Sequence, residues 1–269
     1  MLHYKFHQAT NNSKDLLVLL HGFISDQSTF DEHIKTFTDE INVLTIDLPG
    51  HGLDQSSENH TWDFEFICQS LDDALTSFKS SYRIFLHGYS MGGRIALYYA
   101  LHGTHHLDGL ILESSSPGIA DEDDRIERIQ IDQARAKVLE IAGLEIFVND
   151  WEKLPLFQSQ YSLSTEIKQK IRRMRLQQNP MRLAKALRDY GTGHMPNLWP
   201  KIANITVPTC IIVGSLDEKF IKTAYNMCDL IPETRLYEVN GSGHTVHVEE
   251  MTEFDKIVLG FIFKEEQND

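Results

Sequence analysis

The sequence has little cysteine and no long hydrophobic run. Its three cysteines, Cys68, Cys210 and Cys228, are odd in number and form no Cys-x-x-Cys pair, which argues against a disulfide scaffold or a zinc ribbon. The longest apolar runs, Leu16–Leu20 and Ile257–Phe263, are far shorter than the roughly 18 residues of a membrane span. Residues 1–10 are polar and lack the apolar segment of a secretory signal. We therefore expect a cytoplasmic protein with no stable membrane insertion.

Basic residues are also in short supply. The chain carries 25 Lys and Arg against 39 Asp and Glu, for a net charge of −14. Proteins that bind nucleic acid or dock on anionic membranes generally carry a basic surplus, so the balance argues against both partners. The chain has 269 residues, of which 41% are hydrophobic. It can therefore bury a large core, which excludes wholesale disorder.

Short apolar runs alternate with segments of helical periodicity along most of the chain. Alternation of this kind predicts an α/β fold with a mostly parallel central sheet and helices on both faces. The runs are continuously apolar, as expected of strands buried on both faces. The predicted strands are Leu16–Leu20, Val43–Ile46, Arg83–Leu86, Leu110–Leu112, Cys210–Val213 and Leu236–Val239.

One stretch, residues 118–200, breaks this rhythm and shows only helical patterns. It holds 13 basic and 12 acidic residues, including eight of the eleven arginines, so it is nearly neutral in an acidic chain. Residues 1–117 and 201–269 are predicted to form the core domain, with 118–200 as a helical lid inserted into it. Within the lid an apolar seam is predicted at helical spacing by Ile131, Ala134, Val138 and Ile141.

The segment Gly88-Tyr89-Ser90-Met91-Gly92 matches the pattern G-x-S-x-G. A predicted strand precedes it and a helical segment, Ile95–Leu101, follows it, which is the setting of a nucleophile elbow. Such a turn strains the serine backbone, so glycines must flank it. Ser90 is therefore the candidate nucleophile. The competing interpretation is a glycine-rich turn with an ordinary helix-capping serine.

A catalytic serine needs a base, and the base needs an acid that orients it. Asp217 and His244 each follow a late predicted strand, in the chain order Ser, Asp, His that such folds use. Asp47 is the alternative acid, although it precedes the serine, and His247 is the alternative base. Three further histidines flank glycines and are interpreted as structural turn residues: His21, His51 and His87.

An oxyanion hole is predicted from two backbone amides. One is the N–H of Met91, directly after the candidate nucleophile. The other is the N–H of Phe23, in the turn His21-Gly22-Phe23 after an early strand. The alternative interpretation of that tripeptide is a plain turn at the end of a strand.

On these residues the chain resembles the α/β-hydrolase superfamily over nearly its whole length. The elbow Gly88–Arg94 also resembles that of the 2-succinyl-6-hydroxy-2,4-cyclohexadiene-1-carboxylate synthases of menaquinone biosynthesis. Three lid segments share this resemblance: Glu127-Arg128 with Asp132, Asp150-Trp151 with Pro155-Leu156-Phe157, and Arg175 before Asn179-Pro180. One departure is Asp54, where relatives often carry serine.

The resemblance assigns roles to individual residues. It implies a triad of Ser90, Asp217 and His244. It also implies substrate-binding arginines and two aromatic residues at the substrate, and these match Arg94, Arg128 and Arg175 together with Tyr89 and Trp151.

The activity implied by the resemblance is a lyase reaction. The family eliminates pyruvate from 2-succinyl-5-enolpyruvyl-6-hydroxy-3-cyclohexene-1-carboxylate, which carries three carboxylates. Arginine suits such a substrate because its planar fork binds carboxylate in a bidentate way. Neither a cofactor nor a metal is expected, because no motif for one is present. The partner is thus a small polycarboxylate, and no pattern indicates an oligomeric state.

Two other functions compete. A serine hydrolase, either an esterase or a carbon–carbon bond hydrolase acting on a carboxylate-bearing substrate, uses the same triad. A binding protein that retains the fold without catalysis is the second, and an intact Ser/Asp/His set argues against it.

Overall fold

A seven-stranded sheet forms the centre of the protein in the computed structural model, which describes residues 2–266. Along the sheet the order is β1-β3-β2-β4-β5-β6-β7, and every neighbouring pair is parallel except β1 with β3. This confirms the predicted α/β class. The strands are β1 His3–His7, β2 Asp15–Leu20, β3 Asn42–Asp47, β4 Arg83–Tyr89, β5 Gly109–Glu113, β6 Thr209–Gly214 and β7 Thr234–Val239.

Ten α-helices surround the sheet within the described residues. They are α1 Asp31–Thr38, α2 Phe64–Leu75, α3 Met91–His102, α4 Glu122–Ile141, α5 Leu144–Trp151, α6 Thr165–Leu176, α7 Pro180–Tyr190, α8 Glu218–Cys228, α9 Val246–Glu249 and α10 Met251–Glu266. Short 3₁₀ helices span Gln27–Phe30, Pro155–Ser162, Thr192–His194 and Ile202–Asn204.

The central strands bury both of their faces, as their continuous apolar sequence predicts. On one face Leu16 and Val18 pack with Ile95 of α3, in a core that α2 and α8 also enter. On the other face Leu17 packs with Phe254 of α10. Because successive strand residues point to opposite faces, a strand needs apolar residues at every position to fill both cores.

The sequence analysis missed β1. This strand pairs antiparallel with β3 at the edge of the sheet, with His3 opposite Asp47. Only part of its surface is buried, so its two aromatic residues, Tyr4 and Phe6, alternate with polar ones. An edge strand of five residues with one apolar face gives no continuous hydrophobic run.

The segment between β5 and β6 is helical, as predicted, but the predicted apolar seam is wrong. Ile131, Val138 and Ile141 are exposed, with 84% of the Ile141 surface open to solvent. The face of α4 that packs inward carries Ala136 and Leu139, which join residues of α5 and α7 in a small core of their own. Polar Asp132 also lies on that buried face. A count of apolar residues therefore does not detect the helical periodicity of this face.

Among residues 2–266 no helix is both long enough and apolar enough to cross a bilayer.

Candidate active site

The candidate nucleophile lies on a tight turn between β4 and α3. Ser90 has φ 52° and ψ −104°, a conformation that is rare for a residue with a side chain. A Cβ added to Gly88 would lie 2.3 Å from the carbonyl oxygen of Gly92, and one added to Gly92 would lie 2.4 Å from that of Leu20. Only glycine fits at these two positions, so the flanking glycines allow the turn.

Two other loops bring their polar side chains to the same edge of the sheet. Strands β4, β6 and β7 are parallel, so their carboxyl ends lie together, and Asp217 and His244 follow β6 and β7. His244 Nδ1 donates a hydrogen bond to Asp217 Oδ2 over 2.6 Å, and Ser90 Oγ lies 3.0 Å from His244 Nε2. The acid and the histidine are both buried. The arrangement allows His244 to take the serine proton while Asp217 fixes the ring.

A second feature of this edge is a pair of backbone amides on the cavity wall. Met91 is the first residue of α3, so its N–H has no partner within the helix, and Phe23 lies across from it on the loop after β2. Among the described residues neither amide donates a hydrogen bond. The Leu48 amide donates to His21 Nε2, so Nδ1 of that ring donates to the Gly22 carbonyl. His21 thus holds the Phe23 turn in place.

A cavity of about 550 Å³ opens at the triad. Its floor is formed by the elbow and its roof by residues of the 118–200 segment. The lining includes four cationic side chains and a set of aromatic ones, which suits an anionic ligand with apolar parts. The cations are Arg94, Arg128, Arg135 and Lys219, and the aromatic side chains include Phe23, Trp151, Phe157, Tyr190 and Phe220.

Arg94 has the most unusual environment of these cations. It lies one helical turn after Ser90, and no described residue accepts a hydrogen bond from its guanidinium or forms an ion pair with it. Burial, with a smaller contribution from the nearby Arg128, lowers the pKa of Arg94 to about 10. A buried cation without a partner is costly to a folded protein. Its position therefore indicates that an anion completes the site.

Arg128 and Arg135 share one counter-ion on α4. Arg128 Nε donates to Asp132 Oδ1 over 2.9 Å, and a nitrogen of Arg135 lies 3.5 Å from the same oxygen. The carboxylate is fully buried. It also interacts electrostatically with the guanidinium of Arg94, so one carboxylate faces three cations. This wall of the cavity therefore carries an excess of positive charge.

The structure does not bring Arg175 to this cavity. Its side chain is buried over the outer face of the Phe157 ring, 5.0 Å from the ring centroid, and lines a different pocket. Its guanidinium donates to Glu152 over 3.3 Å and to Gln160 over 3.4 Å. An internal ion pair and a hydrogen bond therefore occupy Arg175, and among the three arginines that the resemblance assigns to the substrate it is the one outside the cavity.

Tyr89 lines the cavity, but its hydroxyl is committed to the protein. The hydroxyl lies 2.7 Å from Thr245 Oγ1, which also accepts from Gln160. The ring contacts that of His244, with centroids 5.5 Å apart. Burial raises the pKa of Tyr89, so the hydroxyl stays neutral. The structure thus places Tyr89 as a packing partner of the base.

The alternative acid and base lie elsewhere. Asp47 accepts hydrogen bonds from His3 and from the backbone of Gln27 and Leu53. The His247 ring lies 2.9 Å from the buried carboxylate of Glu113. Neither side chain faces Ser90, and both serve to hold elements of the fold together.

The sequence analysis missed two of the cationic cavity residues, Arg135 and Lys219. Arg135 lies seven residues after Arg128, which places both on one face of α4, and Lys219 follows Asp217 by two positions. Helical spacing from Arg128 was the signal that would have found Arg135. Among residues 2–266 no group of three or more His, Cys, Asp or Glu side chains is arranged to hold a metal ion.

Comparison with known proteins decides the family. The profile of the α/β hydrolase fold matches residues 15–251. A Bacillus subtilis protein provisionally named 2-succinyl-6-hydroxy-2,4-cyclohexadiene-1-carboxylate synthase is 36% identical over 93% of this chain and 91% of its own length. The chain belongs to the α/β-hydrolase fold family, among its 2-succinyl-6-hydroxy-2,4-cyclohexadiene-1-carboxylate synthases.

Other synthases and a solved structure agree with this placement. The synthase of Yersinia pseudotuberculosis serotype O:1b is 29% identical over 91% of this chain and 86% of its own length. The structure of MenH from S. aureus superposes with a TM-score of 0.97 at 55% identity, covering 99% of this chain and all of that one. A Thermogutta terrifontis esterase structure, at 22% identity and a TM-score of 0.83, shares the fold alone.

Proposed function

We propose that this enzyme eliminates pyruvate from 2-succinyl-5-enolpyruvyl-6-hydroxy-3-cyclohexene-1-carboxylate in menaquinone biosynthesis. The observation that carries the proposal is Arg94, a partly buried cation on the cavity wall, one turn from the nucleophile, with no partner among the described residues. An esterase with an apolar acyl pocket has no use for a cation there. A trianionic substrate needs it, because the chain as a whole carries −14 and repels anions.

Catalysis begins with proton transfer from the serine. His244, oriented by Asp217, accepts the Ser90 hydroxyl proton across the 3.0 Å contact. The serine oxygen then removes the ring proton next to the succinyl ketone. The electron pair of that C–H bond moves toward the ketone, whose oxygen becomes an enolate. Ser90 therefore acts as a base in this scheme, and no acyl-enzyme forms.

The site must stabilise the negative charge that develops on the enolate oxygen. The amides of Phe23 and Met91, which have no other acceptor among the described residues, form the oxyanion hole. Electrons then return from the enolate through the ring double bond and break the carbon–oxygen bond to the enolpyruvyl group. That group leaves, takes up the proton that His244 had accepted from Ser90 and becomes pyruvate, and the ring becomes the diene. No other reactant is consumed.

The remaining cavity residues bind the substrate. Arg94 and Arg128 hold carboxylates, and Trp151 covers the ring from the roof. Residues 118–200 form a lid over the core of residues 1–117 and 201–269, which keeps water from the enolate. The cytoplasmic location stays a prediction.

One experiment separates base catalysis from acyl transfer. Replacing the ring hydrogen by deuterium should slow turnover several-fold when chemistry limits the rate, and intact mass during turnover should show Ser90 unmodified. A hydrolase acting on a carboxylate-bearing ester gives the reverse pattern, with no isotope effect and an acyl group on Ser90. That result would contradict the lyase mechanism and favour the hydrolase.

A further inference from the structure

The cavity contains one arginine of segment 118–200 that the resemblance does not assign to the substrate. Arg135 lies on the same face of α4 as Arg128 and lines the same cavity. Arg175, the third arginine that the resemblance assigns to the substrate, lies outside and is paired with Glu152. If the substrate presents three carboxylates, the cavity therefore offers Arg94, Arg128 and Arg135 as guanidinium partners.

Most of the hydrogen-bonding capacity of Arg135 is unused. Its one hydrogen bond among the described residues is the 3.5 Å contact with Asp132 Oδ1, and Arg128 occupies the same oxygen at 2.9 Å. A guanidinium has five N–H donors. Four of them therefore have no acceptor in the described part of the protein, and burial lowers the pKa of Arg135.

A neighbouring donor is unsatisfied as well. The Arg135 guanidinium lies 5.3 Å from the centroid of the Trp151 ring, and the buried indole Nε1 of Trp151 has no hydrogen-bond partner within residues 2–266. Stacking on an aromatic face fixes a guanidinium and leaves its edge free to bind a carboxylate. Phe147 packs on the same indole at 5.5 Å, which fixes that ring in turn. The cavity wall thus presents the Arg135 guanidinium, fixed against the Trp151 ring.

We infer that Arg135, stacked on Trp151, binds one of the three substrate carboxylates and determines specificity for the tricarboxylate. The inference rests on the proposed function. Asp132 is a positioning residue here. Its Oδ1 atom accepts hydrogen bonds from Arg128 and Arg135 and so fixes the distance between the two guanidinium groups. Arg175 packs against Phe157 and pairs with Glu152, so it supports the lid. Arg135 binds the substrate carboxylate in its place.

The test is substitution of Arg135 by Gln, which keeps a polar side chain and removes the charge. Calorimetric titration with the tricarboxylate substrate, in a variant whose serine is Ala, gives Kd without turnover. We expect Kd to rise about 10-fold, at the low end for a hydrogen bond to a charged group, because 27% of the Arg135 side chain is exposed. KM should rise similarly in the active enzyme while kcat stays nearly constant. The matched control is Lys137→Gln, which removes an exposed charge two positions along the same helix and should leave Kd unchanged.

A substrate analogue distinguishes binding from structural support. Each of the three monomethyl esters of the substrate lacks one carboxylate charge. For one of them, Arg135→Gln should no longer weaken binding, because its partner is already gone. Equal losses with the substrate and all three esters would show that Arg135 only supports the lid and would overturn the inference. A wild-type chain that binds no tricarboxylate would contradict the proposed function and the inference together, whereas wild-type binding that Arg135→Gln leaves unchanged contradicts the inference alone.

Discussion

Replacing Arg94 by Met should make the protein more stable and less active at the same time. The Arg94 side chain is partly buried on the cavity wall, one helical turn from Ser90, and has no hydrogen bond or ion pair with the described residues. Burial lowers its pKa from the ordinary 12.5 to about 10, which corresponds to about 3 kcal/mol. At pH 7 the group is charged in both the folded and the unfolded chain, so this cost is present in full. Methionine fills a similar volume and carries no charge, so the variant avoids this cost.

The expected size follows from these numbers. The free energy of unfolding should rise by about 1–3 kcal/mol, and a chain of this size gains about 2–4 °C in Tm for each kcal/mol. The same substitution removes a carboxylate partner from the site, so kcat/KM for the tricarboxylate should fall about 10- to 150-fold. Stability is measured by urea unfolding without substrate, and activity by release of pyruvate.

Arg188 provides the matched control. It pairs with Glu140 through two hydrogen bonds at the surface of the helical segment and does not line the cavity. Arg188→Met should leave kcat/KM unchanged and should not raise the stability. The account of Arg94 is refuted if Arg94→Met retains full activity, or if it destabilises the protein while binding is unchanged.

Three further predictions concern the triad, the elbow and the buried histidines. Ser90→Ala should fold normally and lose activity by several orders of magnitude; an active variant would show that the elbow is structural. Gly92→Ala should cost about 1–3 kcal/mol of stability because its Cβ meets backbone oxygen at 2.4 Å. Gly260→Ala, whose Cβ meets nothing within 4 Å, should not destabilise, and equal losses at both positions would refute the steric argument. Burial lowers the pKa of His21, His51 and His87, so below about pH 6.5 the unfolded chain binds protons that the folded chain does not. Stability should therefore fall as the pH is lowered from 7.5 to 5.5, by up to about 1.4 kcal/mol per histidine for each pH unit below 6.5. His51→Gln should make this fall shallower, and an identical pH dependence would count against the assignment.

Strand and elbow positions were predictable because each carries its own local signal. A continuously apolar run such as Leu16–Leu20 must be buried on both faces. The glycines at 88 and 92 are required by close backbone approach, and the order of Asp217 and His244 after late strands places them at the sheet edge. These features depend on neighbours in sequence, so periodicity and spacing reveal them.

The helical segment 118–200 was harder to predict because the buried face of α4 is partly polar. Counting apolar residues selected Ile131 and Ile141, which are exposed. The true inward face of α4 carries the buried Asp132, which pairs with Arg128 and Arg135 of the same helix, so a count of apolar residues does not find that face. Only the fold shows that Arg175 is paired behind Phe157 while Arg135 reaches the cavity.

Direct assay with 2-succinyl-5-enolpyruvyl-6-hydroxy-3-cyclohexene-1-carboxylate tests the central claim. The account predicts that the wild-type enzyme releases one pyruvate for each diene chromophore formed, and that Ser90→Ala forms neither. An activated neutral ester is assayed with the same preparation to establish that the triad is competent. If the ester is hydrolysed while neither pyruvate nor the diene appears, the enzyme is a hydrolase and the elimination mechanism is contradicted.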